Sequence, residues 1–115
     1  SYREAAGMPP FFRLIRLVVR SPDENTAKTE CEKLKVLLDW LLKTMPNQDE
    51  RKSIEIMGAA PCLLTRINNN FRYHILLKSK NLQSIRKVVK QMTKKMERLP
   101  KNSYLEIDTD PADLF

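Results

Sequence analysis

Apolar and polar positions alternate and recur along this chain in two distinct periods. From Phe11 to Arg20 the period is two: Phe11, Arg13, Ile15, Leu17 and Val19 share one side, and Phe12, Leu14, Arg16, Val18 and Arg20 the other. That is a strand with an apolar face, and Arg16 and Arg20 make the opposite face wet. Steps of three and four then take over at Ala27, Cys31, Leu34, Leu38, Leu41 and Met45, widened by Leu37 and Leu42. This is the buried stripe of a helix. Ser21 is the expected cap, with Pro22 at the first helical position and Glu24 closing a capping box. Pro46 and Asn47 end it.

Ile54 to Gly58 reads as a short strand, broken by Gly58-Ala59-Ala60-Pro61. Asn68-Asn69-Asn70 reads as a turn. Phe71 to Lys78 alternates again, with Phe71, Tyr73, Ile75 and Leu77 inward and Arg72, His74, Leu76 and Lys78 on a basic outer side. Asn81 caps a second helix whose stripe is Leu82, Ile85, Val89, Met92, Met96 and Leu99, stopped by Pro100. Leu105 to Asp108 is a last strand. The order β-α-β-β-α-β predicts an α+β, split βαβ, ferredoxin-like fold: a four-stranded antiparallel sheet with two helices on one face. A chain of 115 residues suits one domain. The expected division is a lead-in segment at 1–10, a folded domain at 11–111 and a tail at 112–115.

Charge changes the picture. Residues 1–50 hold 8 Lys/Arg and 8 Asp/Glu. Residues 51–102 hold 13 Lys/Arg against Glu55 and Glu97, a net of +11. Residues 103–115 carry Glu106, Asp108, Asp110 and Asp113 and no base, a net of −4. A basic block inside a folded segment points to a polyanionic partner, nucleic acid first among them. No apolar run approaches the ~20 residues of a membrane helix, and no secretory signal is visible. The first residue is Ser1, so the chain is read as a fragment of a larger protein. Cys31 and Cys62 have no metal-ligand spacing and read as reduced thiols of a cytoplasmic protein.

Candidate chemistry is sparse. Asp108 and Asp110 are two apart and can face one way, as a metal-binding or acid-base pair would; an acidic strand end is the plainer reading. His74, the one histidine, has no Cys or Ser beside it in sequence. Gly58-Ala59-Ala60-Pro61 lacks the Lys-Ser/Thr ending of a phosphate loop. No catalytic residue, cofactor site or metal site is therefore expected, and the fragment itself is not expected to be an enzyme. Binding is better represented. Arg66, Arg72, Lys78 and Lys80 lie along the strand region, and Arg86, Lys87, Lys90 and Lys94 along the second helix, which only Glu97 offsets. Phe71 and Tyr73 can stack on bases, although they share a face with Ile75 and Leu77 and fit a core equally well. No base-reading motif is present, so backbone contacts are expected.

Four segments in register carry a family resemblance: Gly7-Met8-Pro9-Pro10-Phe11-Phe12-Arg13-Leu14, Gly58-Ala59-Ala60-Pro61, Phe71-Arg72-Tyr73-His74-Ile75-Leu76-Leu77-Lys78, and Ile107-Asp108-Thr109-Asp110-Pro111. Over about residues 3–111 the chain resembles the C-terminal domain of the primosomal protein N′ (PriA) family of bacterial replication-restart helicases. The resemblance implies an ATP-dependent 3′-to-5′ DNA helicase as parent, with ATP, Mg and zinc held outside this fragment. It implies partners too: forked or single-stranded DNA, the acidic, Phe-ended tail of single-stranded DNA-binding protein, and other primosome proteins, with no membrane. Arg72-Tyr73 is the closest residue match, and Lys78 and Lys80 fall near the expected tail-binding base. Two departures are visible. The family often has Gly-Pro-Ala-Pro at 58–61, and Gly and Arg where this chain has Asn68-Asn69-Asn70. Two alternatives compete: a ferredoxin-like protein-interaction module without nucleic-acid binding, and an RNA-binding module of ribosomal type.

Overall fold

A computed structural model describes residues 12–67 and 69–109, with backbone alone for 63–67. The elements run β1 (Arg13–Ser21), α1 (Glu24–Lys43), α2 (Gln48–Lys52), β2 (Glu55–Ile67), β3 (Asn70–Ser79), α3 (Leu82–Lys95) and β4 (Tyr104–Thr109). The four strands form one antiparallel sheet in the order β2-β3-β1-β4. This is the expected ferredoxin-like arrangement, with one added helix.

The apolar stripes explain the layering. Ala27, Cys31, Leu34, Leu38 and Leu41 of α1 and Ile85, Val88, Val89 and Met92 of α3 are buried. They close onto Ile15, Leu17, Val19, Tyr73, Ile75 and Leu77, the inward set of the two central strands. Both helices therefore cover one side of the sheet, and removing this much apolar surface from water drives the assembly.

Several local expectations are corrected. The α1 cap is Asp23, not Ser21: the Asp23 carboxylate accepts from the Thr26 amide at 2.9 Å. Ser21 ends β1 instead, and its hydroxyl accepts from the Asp23 amide at 3.3 Å. Helix α2 was not anticipated, because its five residues bury nothing and leave no stripe. Strand β2 does not break at Gly58–Pro61. It continues to Ile67 through irregularities between Gly58 and Ala60 and between Pro61 and Arg66. Pro61 is tolerated because β2 is an edge strand and need not donate on its free side. Helix α3 stops at Lys95, short of Pro100. The side of β1 that carries Arg16 is not wet: Arg16 is 7% exposed and Val18 0%. Val18 and Cys62 are buried apart from the main core cluster. The motif at 7–11 and Asp110-Pro111 lie outside the described residues.

Candidate nucleic-acid and partner interface

On the sheet's helix-free side, bases of the central strands meet acids of the edges. Arg16 faces Asp108 across β1 and β4, and Lys78 faces Glu55 across β3 and β2. The Arg16 guanidinium donates to the Asp108 carboxylate at 3.0 Å. Arg20 pairs with Glu106 at 3.4 Å and Lys78 with Glu55 at 3.6 Å. Opposite charges that meet across neighbouring strands, directly as in Arg16–Asp108 and Lys78–Glu55 or diagonally as in Arg20–Glu106, add modestly to strand pairing. Two aromatic rings join them: Arg20 stands 4.4 Å from the Tyr104 ring centre, and Lys78 stands 4.5 Å from that of Phe12. The carboxylate of Asp108 is thus occupied in an ion pair with Arg16. His74 lies among these bases. Burial first, then Arg16 and Arg72, push its pKa below the ordinary 6.5.

On the opposite layer stands the outer face of α3. Asn81 caps the helix by accepting from the Gln83 amide at 2.9 Å. With Ser84, Ile85, Val88, Val89 and Met92 turned inward, Arg86, Lys87, Lys90 and Lys94 project into solvent. Lys87 reaches both oxygens of Glu50 at 3.2 Å, and the Ser84 hydroxyl donates to the same carboxylate at 2.8 Å. These contacts fasten α2 to α3. They hold the Glu50 carboxyl below its ordinary range, the Ser84 hydrogen bond first. Among the described residues no acid lies within ion-pair distance of Arg86, Lys90 or Lys94.

The candidate site residues are thus divided. Arg72 and Lys78 belong to the sheet's outer side, and Arg86, Lys87, Lys90 and Lys94 to the helical layer. Lys80 is exposed in the turn joining β3 to α3. Arg66 lies on β2 opposite Phe71, its side chain outside those described. Tyr73 faces the core at 8% exposure, and its hydroxyl donates to Glu24 at 3.1 Å. Stacking on a base is not open to a ring so enclosed.

Sequence reasoning passed over Trp40. Its ring is half exposed, and the Lys95 ammonium stands 5.8 Å from the ring centre. It borders a groove of about 660 Å³ between the C-terminal half of α1 and α3, with Met45, Val88, Lys90 and Lys94 among its other walls. The available signal was a large apolar residue off the stripe: Val36 and Trp40 sit four apart on the side of α1 turned to solvent. Among the described residues no group of three His, Cys, Asp or Glu is placed to hold a metal, and no helix is long and apolar enough to cross a membrane.

Comparisons with known proteins agree with this architecture. The family model of the primosomal protein N C-terminal domain matches residues 4–112. Replication restart protein PriA of Borreliella burgdorferi is 30% identical over 113 residues, covering 98% of this chain and 16% of that protein. The protein of the same name from Treponema pallidum gives the same identity and coverage. That of Synechocystis is 30% identical over 112 residues, 97% of this chain and 12% of its own length. The chain therefore spans about a sixth or less of these relatives. Two designed proteins share the fold. Foldit4 has a TM-score of 0.57 at 15% identity, over 89% of this chain and 99% of that one. A de novo protein with ferredoxin fold has a TM-score of 0.50 at 16% identity, over 89% and 87%.

Proposed function

From the premise that this chain belongs to the primosomal protein N C-terminal domain family of replication restart proteins, we propose that it is the DNA-binding and partner-docking end of a bacterial replication-restart helicase. The observation that carries the reading is the outer face of α3. Arg86, Lys90 and Lys94 are exposed, one to two turns apart, with no acid within ion-pair distance of them among the described residues. Such a row tracks a phosphate backbone and reads no sequence. The sheet's outer bases are a lesser contribution, because Arg16, Arg20 and Lys78 already meet carboxylates. ATP, Mg and zinc chemistry, and the 3′-to-5′ unwinding they drive, belong in this reading to the rest of the parent protein. The acidic tail of single-stranded DNA-binding protein and other primosome proteins are its protein partners.

Fluorescence anisotropy with a labelled fork tests the DNA role. Affinity should fall with salt, with a log–log slope of about 0.7–0.9 for each phosphate neutralised. The triple change R86E/K90E/K94E should weaken binding and flatten that slope. A fork affinity indifferent to salt, or to the triple change, refutes the reading. Structured RNA at equal salt serves as the comparison: tighter RNA than fork binding would favour the ribosomal-type alternative.

A further inference from the structure

The groove beside Trp40 is not explained by a phosphate-tracking helix face. Its floor continues the core: Leu41 and Val88 are almost wholly buried, and Met45 packs against the core cluster. The turn after α1, with Pro46 and Asn47, lines one end together with Glu50 of α2. Lysines occupy the α3 side. Lys87, Lys90 and Lys94 follow one another by three and four positions, so their stems share a face. Glu50 is the one carboxylate among the described lining residues, and it already accepts from Ser84 and Lys87. Trp40, the single Trp of the chain, is half exposed. Lys95 stands 5.8 Å from its ring centre, near the ~6 Å limit of a cation–π contact, so displacing it costs little.

We infer that the groove between α1 and α3 is a binding site for a nucleoside polyphosphate, with the base stacked on Trp40 and the phosphates held by Lys90, Lys94 and Lys95. The lysines select an anion. The exposed ring selects an anion with a flat apolar part, since every base has a π face that stacks on an aromatic side chain. Size then selects a small ligand: a volume of about 660 Å³ lies within the usual range of small-molecule sites. A nucleic-acid strand stacks successive bases on successive rings, and no second aromatic lines the groove among the described residues. Gln91 and Thr44 on the walls offer an amide and a hydroxyl to the sugar or the base edge. With Glu50 engaged, the ammonium groups neutralise the phosphates directly, as compact point charges. The site only binds; no bond of the ligand is made or broken. The inference goes beyond the DNA reading and does not rest on it, because Trp40 has no part in that reading. Nucleotide and DNA would share Lys90 and Lys94, so a bound nucleotide keeps DNA off that stretch of α3.

The test uses the chain itself with ATP as the probe, in buffer containing a chelator so that no metal bridges ligand and protein. Titration calorimetry gives Kd, and the emission of Trp40, the sole indole, reports occupancy. Saturable binding is expected, weakening as salt rises. Adenosine and inorganic triphosphate, each lacking one half of the ligand, should bind about fivefold more weakly or worse. W40A should lose about fivefold or more in Kd, the worth of one stacked base, and K90E/K94E about tenfold or more. W40F keeps a ring and should retain most binding by calorimetry; far-UV circular dichroism verifies that each variant is folded. ATP should also displace a labelled fork from the parent chain, whereas W40A should keep its fork affinity and need about fivefold more ATP for the same displacement. If no fork binds at all, the DNA reading fails and direct calorimetry with ATP still decides this one. No saturable ATP binding overturns the proposal. So does triphosphate binding as tight as that of ATP, because charge alone would then suffice, or an unchanged Kd in W40A. A shift of Trp40 emission by oligothymidine or by an Asp-rich peptide, where ATP gives none, would assign the groove to a polymer and overturn it as well.

Discussion

Replacing Gly58 with alanine would place a methyl carbon 2.7 Å from the carbonyl oxygen of His74 and 3.0 Å from Cα of Ile75. Ordinary contact begins near 3.4 Å, and both obstacles are backbone atoms of β3. That strand cannot retreat, because it is laddered to β2 on one side and β1 on the other, with His74 opposite Ala60 and Val18. Gly58 also has φ +124°, where a side chain costs about 1–3 kcal/mol in backbone strain alone. Adding the steric contact, which overpacking studies put at about 1–3 kcal/mol, the Gly58→Ala change should cost about 2–6 kcal/mol. Domains of this kind have about 5–15 kcal/mol in total, so the variant folds but melts early. Urea unfolding followed by circular dichroism gives the number. With m of about 2 kcal/mol/M, the middle of the usual urea range, the midpoint should drop by about 1–3 M with m unchanged. A loss below about 1 kcal/mol would mean that β2 yields easily at this position, and that the irregularity there does not depend on glycine.

Three further outcomes are expected. Glu50 is held below its ordinary 4.5 by Ser84 and Lys87, so the folded state binds its proton less readily than the unfolded chain; its stabilisation is present above about pH 4.5 and is lost as pH falls through the folded value, and urea midpoints of E50Q should depend less on pH in that window than those of the parent chain. His74, the single histidine, should titrate below 6.5 by NMR because burial and the neighbouring Arg16 and Arg72 oppose its charge; a value above 6.5 would refute the placement. Leu38→Ala empties a fully buried position of α1 and should cost about 2–5 kcal/mol in urea unfolding, against under about 0.5 kcal/mol for the same change at exposed Val36.

What was legible in the sequence is what repeats locally. The stripes of α1 and α3 and the alternation of β1 and β3 are short-range patterns, and they fixed the sheet and its covered side. Features decided by distant partners were hidden. Nothing near Arg16 announces Asp108, 92 positions away, so the guanidinium reads as solvated when it is buried. Gly58 and Pro61 look like breakers because their irregular pairing is set by β3. The choice of Asp23 over Ser21 as cap depends on where β1 ends, which its neighbours in the sheet determine. Helix α2 is too short for a period and is held by side-chain contacts from Glu50 to α3. The basic residues were legible as a population but not in their arrangement: one sequence block is dealt to two layers, and on the sheet Lys78 of that block, like Arg16 and Arg20 before it, meets a carboxylate. Trp40 was hidden for another reason: it lies off the buried stripe of α1, where no periodic pattern marks a residue.

The two cysteines are enclosed in different places. Cys31 is under α1, its thiol pushed up to about 12 chiefly by burial. Cys62 is on edge strand β2, apart from the principal core, and burial raises its thiol as well. Neither sulfur reacts with an alkylating reagent while it is protonated and covered. The molecule therefore carries two internal clocks. The alkylation rate of Cys31 measures lifting of the helices, and that of Cys62 measures peeling of the sheet edge, so unequal rates would reveal which part opens first.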